Sequence, residues 1–237
     1  LSETQAAVAH QFDDLEQQRE ASELGMWTFL ATEVLFFGGL FLGYTLYRLA
    51  YPGGFAEGSR HLSLLWGTVN TAVLILSSLT MALAVEGARA RSKRAVIGFL
   101  LATFALASVF LAIKGVEYSH HIREHLVPTK SFTYEGPHAA RRSELAGGGE
   151  RGSEERARTD GRELRVFLSF YFAMTGTHAV HMILGMVVLL VLTVLVWRDR
   201  IRPPNTNPIE MVGLYWHFVD VVWIFLFPLL YLLGRHA

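Results

Sequence analysis

Several polar side chains in this chain stand inside long apolar runs, where their type and spacing suggest chemistry. Glu33 lies in WTFLATEVLFFGGLF, among Phe and Leu, where a bare carboxylate is strongly disfavoured and the neutral acid is the expected form. Such a group is either a proton-linked carboxyl or a protonated Glu hydrogen-bonded to a neighbouring helix. His178 and His181 in FYFAMTGTHAVHMILGM are one helical turn apart on the same side of a helix, with Gly176, Ala179 and Gly185 thinning it for a close neighbour. Two histidines so spaced suit either a metal or haem site or hydrogen-bonded packing. His217 and Asp220 in YWHFVDVVWIFLFPLLYLLG are i and i+3, so the carboxyl can hydrogen-bond and orient the imidazole.

Lys114, Glu117 and His121 in the segment IKGVEYSHHI follow one another at i, i+3 and i+7 on one helix face. A cation and an anion at that spacing neutralise each other, and the pair is expected to snorkel to a membrane interface. It is read as a lipid-headgroup or partner-subunit site, or as a local ion pair. Asn70, Ser77 and Ser78 lie near one face of SLLWGTVNTAVLILSSLTMALAVEGA and suit hydrogen bonds between packed helices. Glu210 opens the last apolar run, Tyr215 and Trp216 suit an interfacial aromatic belt, and Pro228 is expected to kink the far half. The chain has no Cys, which removes thiolate-bridged copper, iron–sulfur ligation and C-x-x-C-H haem attachment. The histidines match no haem-ligand spacing, so neither a metal site nor a catalytic residue is assigned.

The elements that must position these residues follow from where the charges sit. Hydrophobic residues make up 51% of the 237, with Lys plus Arg equal to Asp plus Glu at 21 each, so net charge says little about partners. The charges crowd into ends and connections. They leave five nearly uncharged runs at about 26–49, 64–87, 95–118, 166–197 and 211–234, each long enough to cross a hydrocarbon core about 30 Å thick as a helix. Only helices or closed barrels satisfy every backbone group in lipid, and runs without alternation exclude a barrel. The expected fold is an all-α integral membrane protein, a bundle of five transmembrane helices. Residues 1–25 form an N-terminal arm, with acidic residues where a signal peptide needs basic ones and with Ala6, Val8, Phe12 and Leu15 suited to a short amphipathic helix. YPGGFAEGSR reads as a turn, and the charged, Gly-rich stretch 119–165 as an exterior loop, mobile or ordered by a partner. Arg19, the run Arg89, Arg91, Lys93 and Arg94, and the run Arg198, Arg200 and Arg202 fall on one side of a five-span topology. That asymmetry puts the N-terminus in the cytoplasm and the C-terminus outside.

WTFLATEVLFFGGLF, WGTVNTAVLILSS, KGVEY, TGTHAVHMILG and YWHFVDVVWIFLFPLLYL, in this order over residues 26–234, resemble subunit III of the haem–copper terminal oxidases. The resemblance is to the short five-helix form, without the first two helices of the longer seven-helix one. It implies an accessory subunit of a proton-pumping cytochrome c or quinol oxidase in the bacterial inner membrane, beside catalytic subunit I and with subunit II in the same complex. It implies a phospholipid-holding cleft and support for proton uptake and for the stability of subunit I. Haems and copper belong to the partner subunits and no cofactor to this chain. By position Glu33 resembles the family's buried carboxyl, Glu117 and the pair His178 and His181 its polar bundle positions, and Glu210, Trp216, His217 and Asp220 its final-helix motif. The long charged connection departs from the compact one expected and suggests a cytochrome domain or a supercomplex neighbour there. Nothing points to nucleic acid. Two other functions fit less of the pattern: a nitric oxide reductase accessory subunit, and an independent ion transporter using Glu33, Lys114, Glu117 and Asp220.

Overall fold

The computed structural model of the chain describes residues 11–123, 150–201 and 206–233, and among these every regular element is a helix. They are α1 (Leu15–Ala50), α2 (Pro52–His61), α3 (Leu64–Arg89), α4 (Lys93–Arg123), α5 (Glu150–Trp197) and α6 (Asn207–Phe227), the last continued by a π-helical turn at Pro228–Leu232. Among the described residues five stretches are long and apolar enough to cross a membrane: α1, α3, most of α4, most of α5, and α6 with its π turn. The chain is thus a multi-pass all-α membrane protein with the five spans expected.

Four features differ from the sequence expectations. Residues 15–25 of the N-terminal arm are the opening turns of α1, because LEQQREASELG is rich in strong helix formers and one Gly does not stop it. Asp14 Oδ1 accepts from the Gln17 N–H at 2.8 Å, while Gln17 Oε1 accepts from the Asp13 N–H at 2.7 Å, capping that start. Ala6 and Val8 lie outside the described residues. The flanks of the 119–165 connection are helical, α4 running to Arg123 and α5 starting at Glu150 just after Gly147, Gly148 and Gly149; residues 124–149 lie outside the described ones. The YPGGFAEGSR segment is helix rather than turn: Pro52 occupies the first helical position, where its missing N–H costs nothing. Pro228 opens the π turn, in which the Leu233 N–H reaches back five residues to the Pro228 carbonyl at 3.1 Å.

The chain divides into two compact units, each built from parts of all five spanning helices. The first comprises Leu1–Phe37, Thr71–Phe110 and His178–Trp223. In it α3 and α5 stop in the same way. Arg91 (φ 56°) and Asp199 (φ 57°) adopt the left-handed conformation, and the next N–H reaches back five residues, Ser92 to Gly87 O and Arg200 to Leu195 O, both at 2.9 Å. Lys93 Nζ ties the two stops together, 2.8 Å from Asp199 Oδ1 and 2.8 Å from the Trp197 carbonyl.

The second unit comprises Gly38–Asn70, Leu111–Thr177 and Ile224–Ala237. There α2 lies against α5 so closely that a Cβ on Gly54 would overlap Glu163, and one on Gly58 the ring of Phe167. Phe55 is buried between Tyr44 and Phe167, with ring centroids 5.1 and 5.5 Å away. The Tyr44 hydroxyl donates to the Leu229 carbonyl at 2.7 Å, and Arg48 donates to that of Leu233. These bonds give side-chain donors to carbonyls in the last described turn of that helix.

Candidate functional site

Within the first unit, α1 and α5 bring Glu33 and His181 together, with 3.1 Å between Glu33 Oε2 and His181 Nε2. The side chains remain 18% and 15% exposed respectively, so the pair is not sealed from its surroundings. Phe37 stands edge-on to the imidazole at 5.2 Å, and Tyr215 of α6 donates to the His181 carbonyl at 3.0 Å. The Glu33 carboxyl therefore has a polar partner on a neighbouring helix.

His178 does not join this pair. It is 1% exposed and packs between the rings of Phe110 at 5.6 Å and Trp223 at 5.1 Å. A step of three residues leaves two side chains about 60° apart around a helix, enough to give them different neighbours. Among the described residues no three His, Cys, Asp or Glu side chains converge as metal ligands would.

The last helix also departs from its expected pairing. His217 Nδ1 meets Ser78 Oγ of α3 at 2.7 Å rather than the carboxyl of Asp220. Asp220 is 4% exposed, and the Ser78 hydroxyl lies near it without bonding geometry. Trp216 is not an interfacial residue but a fully buried one: its Nε1 donates to Ser77 Oγ at 2.8 Å, and its ring fills the recess left by Gly185, where a Cβ would stand 2.9 Å from Cζ3. Ser77 and Ser78 thus make the bonds between helices that their positions suggested. Glu210 caps the same unit, 3.2 Å from Arg89 Nε and 3.9 Å from Arg19 Nη2.

In the second unit Lys114 and Glu117 form the expected ion pair, with 2.7 Å between Nζ and Oε2, but they do not snorkel. Their side chains are 7% and 8% exposed, because the bundle supplies the polar partners that an interface would have offered. Lys114 Nζ also donates to the Tyr231 hydroxyl at 2.6 Å; that hydroxyl donates to Glu117 Oε1 at 2.6 Å, and the Tyr171 hydroxyl donates to the same oxygen at 2.9 Å. The ammonium sits over both tyrosine rings, 5.6 Å from the centroid of Tyr171 and 5.1 Å from that of Tyr231. The sequence reading missed both tyrosines. The signal was the lysine itself, since a buried ammonium needs more partners than one carboxylate. Tyr118 and Thr175 bond through their hydroxyls beside this network. Asn70 is fully buried and its amide has no hydrogen-bond partner among the described residues. His121 falls in the last turn of α4, its side chain outside the described residues.

Residues 162–235 match the family model of cytochrome c oxidase subunit III. The chain is 27% identical over 227 residues to subunit 3 of the cytochrome bo(3) ubiquinol oxidase of Pseudomonas aeruginosa, covering 96% of this chain and 92% of that one. It is 29% identical to the subunit of the same name from Pseudomonas putida over 89% of this chain and 85% of the relative. A probable quinol oxidase subunit 3 of Staphylococcus epidermidis shares 27% identity over 95% and 96%. The family match and these relatives support the haem–copper oxidase subunit III family for this chain. They support an accessory membrane subunit of a terminal oxidase, in a complex with other oxidase subunits. The family match takes in TGTHAVHMILG and YWHFVDVVWIFLFPLLYL, the segments that carry His178, His181, Trp216, His217, Asp220 and Tyr231.

Proposed function

We propose that this subunit III sustains proton uptake into catalytic subunit I of a proton-pumping oxidase and protects that subunit during oxygen reduction, carrying no redox centre itself. The observation that carries this reading is the Glu33–His181 pair. A carboxyl and an imidazole in hydrogen-bond contact, partly open to their surroundings, can hold and exchange a proton at an apolar depth where other groups cannot. Similarity over nearly the whole chain to subunits of quinol oxidases supports quinol as the electron donor of the complex.

In this reading subunit I is the principal partner, subunit II belongs to the same assembly, and a cytochrome or supercomplex neighbour meets the 119–165 connection. Haems and copper reside in the partners, and phospholipid fills the space beside the bundle. The chain sits in the bacterial cytoplasmic membrane with its N-terminus in the cytoplasm, on the side of Arg89, Arg91, Lys93, Arg94, Arg198 and Arg200.

The test is purification through a tag on this chain in mild detergent, with an optical difference spectrum and identification of the accompanying subunits. Haem that arrives with a large catalytic subunit and disappears when the chain is stripped of partners supports the reading. Haem kept by the isolated chain overturns it. In the assembled complex, Glu33→Gln is expected to slow turnover-linked proton uptake while leaving the haem spectrum unchanged.

A further inference from the structure

An open slot of about 380 Å³ lies in the second unit between the start of α3 and the end of α4. Its lining is graded along its length. Ser63, the residue before α3, and His120, in the last turn of α4, mark one end; Ala112 marks the other, with Trp66, Val116 and Glu117 between. At 1.5 Å per residue the step from His120 to Ala112 is about 12 Å, so the slot runs from a helix end, at membrane-surface depth, well into hydrocarbon. A polar mouth and an apolar floor in that order match a molecule with a polar head and a greasy tail.

The chemistry of the head follows from the walls. Among the described residues no Lys or Arg lines the slot to pair with a phosphate or a carboxylate. Beside the Ser63 hydroxyl, the His120 imidazole and the Trp66 N–H, it offers the Glu117 carboxylate as a strong acceptor. The Glu117 carboxyl is fixed by three donors, Lys114, Tyr171 and Tyr231, and a carboxylate has roughly four acceptor positions, which leaves one for a ligand. Because those donors already hold the carboxylate in place, a ligand need not order it on binding. Trp66, 49% exposed, adds a flat aromatic face beside it.

We propose that this slot seats the ring of a hydroxylated aromatic amphiphile, a quinol-type molecule, with one hydroxyl donating to Glu117 and the chain running past Val116 and Ala112. The proposal requires only that α3 and α4 span a membrane, and so it stands or falls separately from the proton-uptake reading above.

The experiment uses the full chain with whatever subunits accompany it, in vesicles of phosphatidylethanolamine and phosphatidylglycerol. The probe is decylubiquinol carrying a diazirine on its alkyl chain, kept reduced, irradiated, and located by peptide mass spectrometry on this chain alone. Label concentrated in residues 63–66 and 112–120, suppressed at least fivefold by unlabelled decylubiquinol, is the expected result. Ala112→Phe, at an exposed position that fills the slot, should lower that label at least tenfold, and Ala105→Phe, exposed on the same helix outside the slot, should leave it unchanged. Label spread along the lipid-facing helices, label insensitive to Ala112→Phe, or displacement by monoolein as effective as by decylubiquinol would each overturn the proposal. If Ala112→Phe does not assemble, the competition between monoolein and decylubiquinol on the unaltered chain decides alone.

Discussion

Glu33 and Lys114 are both ionisable groups set in apolar helices, and they are matched in different ways. Glu33 has one imidazole partner and keeps some exposure, whereas Lys114 is enclosed by a carboxylate, two phenolic hydroxyls and two aromatic faces. The difference separates their variants. Glu33→Gln keeps a side chain of the same shape that can still bond His181, so the complex should assemble at the normal yield. Glu33→Lys sets a cation against the imidazole in an apolar span and should lower the amount of chain recovered with its partners several-fold; normal recovery would show that the Glu33–His181 contact is not needed for assembly. At Lys114 the expected effect is on stability. Removing one member of a buried ion pair costs about 3–5 kcal/mol, because the other charge is left behind. Lys114→Met should therefore lower the thermal midpoint in detergent sharply, and Lys114→Met with Glu117→Leu should recover a substantial part of the loss. If the double variant lost as much as the two single losses added together, the charges would not be coupled.

α2 shows how far a local sequence can mislead about an element. Pro52, Gly53 and Gly54 read as a turn because glycine is a poor helix former, yet here the missing side chains let a helix lie against Glu163 and Phe167 of α5. Gly58→Val should therefore cost about 1–3 kcal/mol by overpacking, whereas Gly38→Ala, which meets nothing within 4 Å, should be nearly neutral. Thermal midpoints of the two variants in the same detergent check this, and equal midpoints would show that α2 and α5 are not in close contact. The five spans were legible because bilayer thickness imposes a length of apolar chain that local sequence displays directly. Partners were not legible wherever they depend on a second helix. Trp216 has the amphipathic ring of an interfacial residue and is buried only because Gly185 leaves a recess for it, and His217 bonds Ser78 rather than Asp220 because α3 brings that hydroxyl within 2.7 Å. The π turn was likewise invisible: Pro228 announces a disturbance, not the form it takes.

For the whole molecule, the absence of Cys makes sidedness directly measurable. A single cysteine at Arg60→Cys should react with an impermeant maleimide added outside intact spheroplasts, and one at Arg91→Cys only after the membrane is opened. The reverse pattern would invert the proposed topology. The Lys114 network also has an order in time. Its charge and countercharge lie three residues apart on α4, whereas the two tyrosines that complete the enclosure come from α5 and from the final π turn. A chain made from its N-terminus exposes Lys114 to the bilayer long before Tyr231 has been synthesised. Because Glu117 travels with it, α4 can enter lipid as a neutralised segment rather than wait for the rest of the protein. The phenolic hydroxyls then act as a late latch, closing on a pair that was already safe to insert.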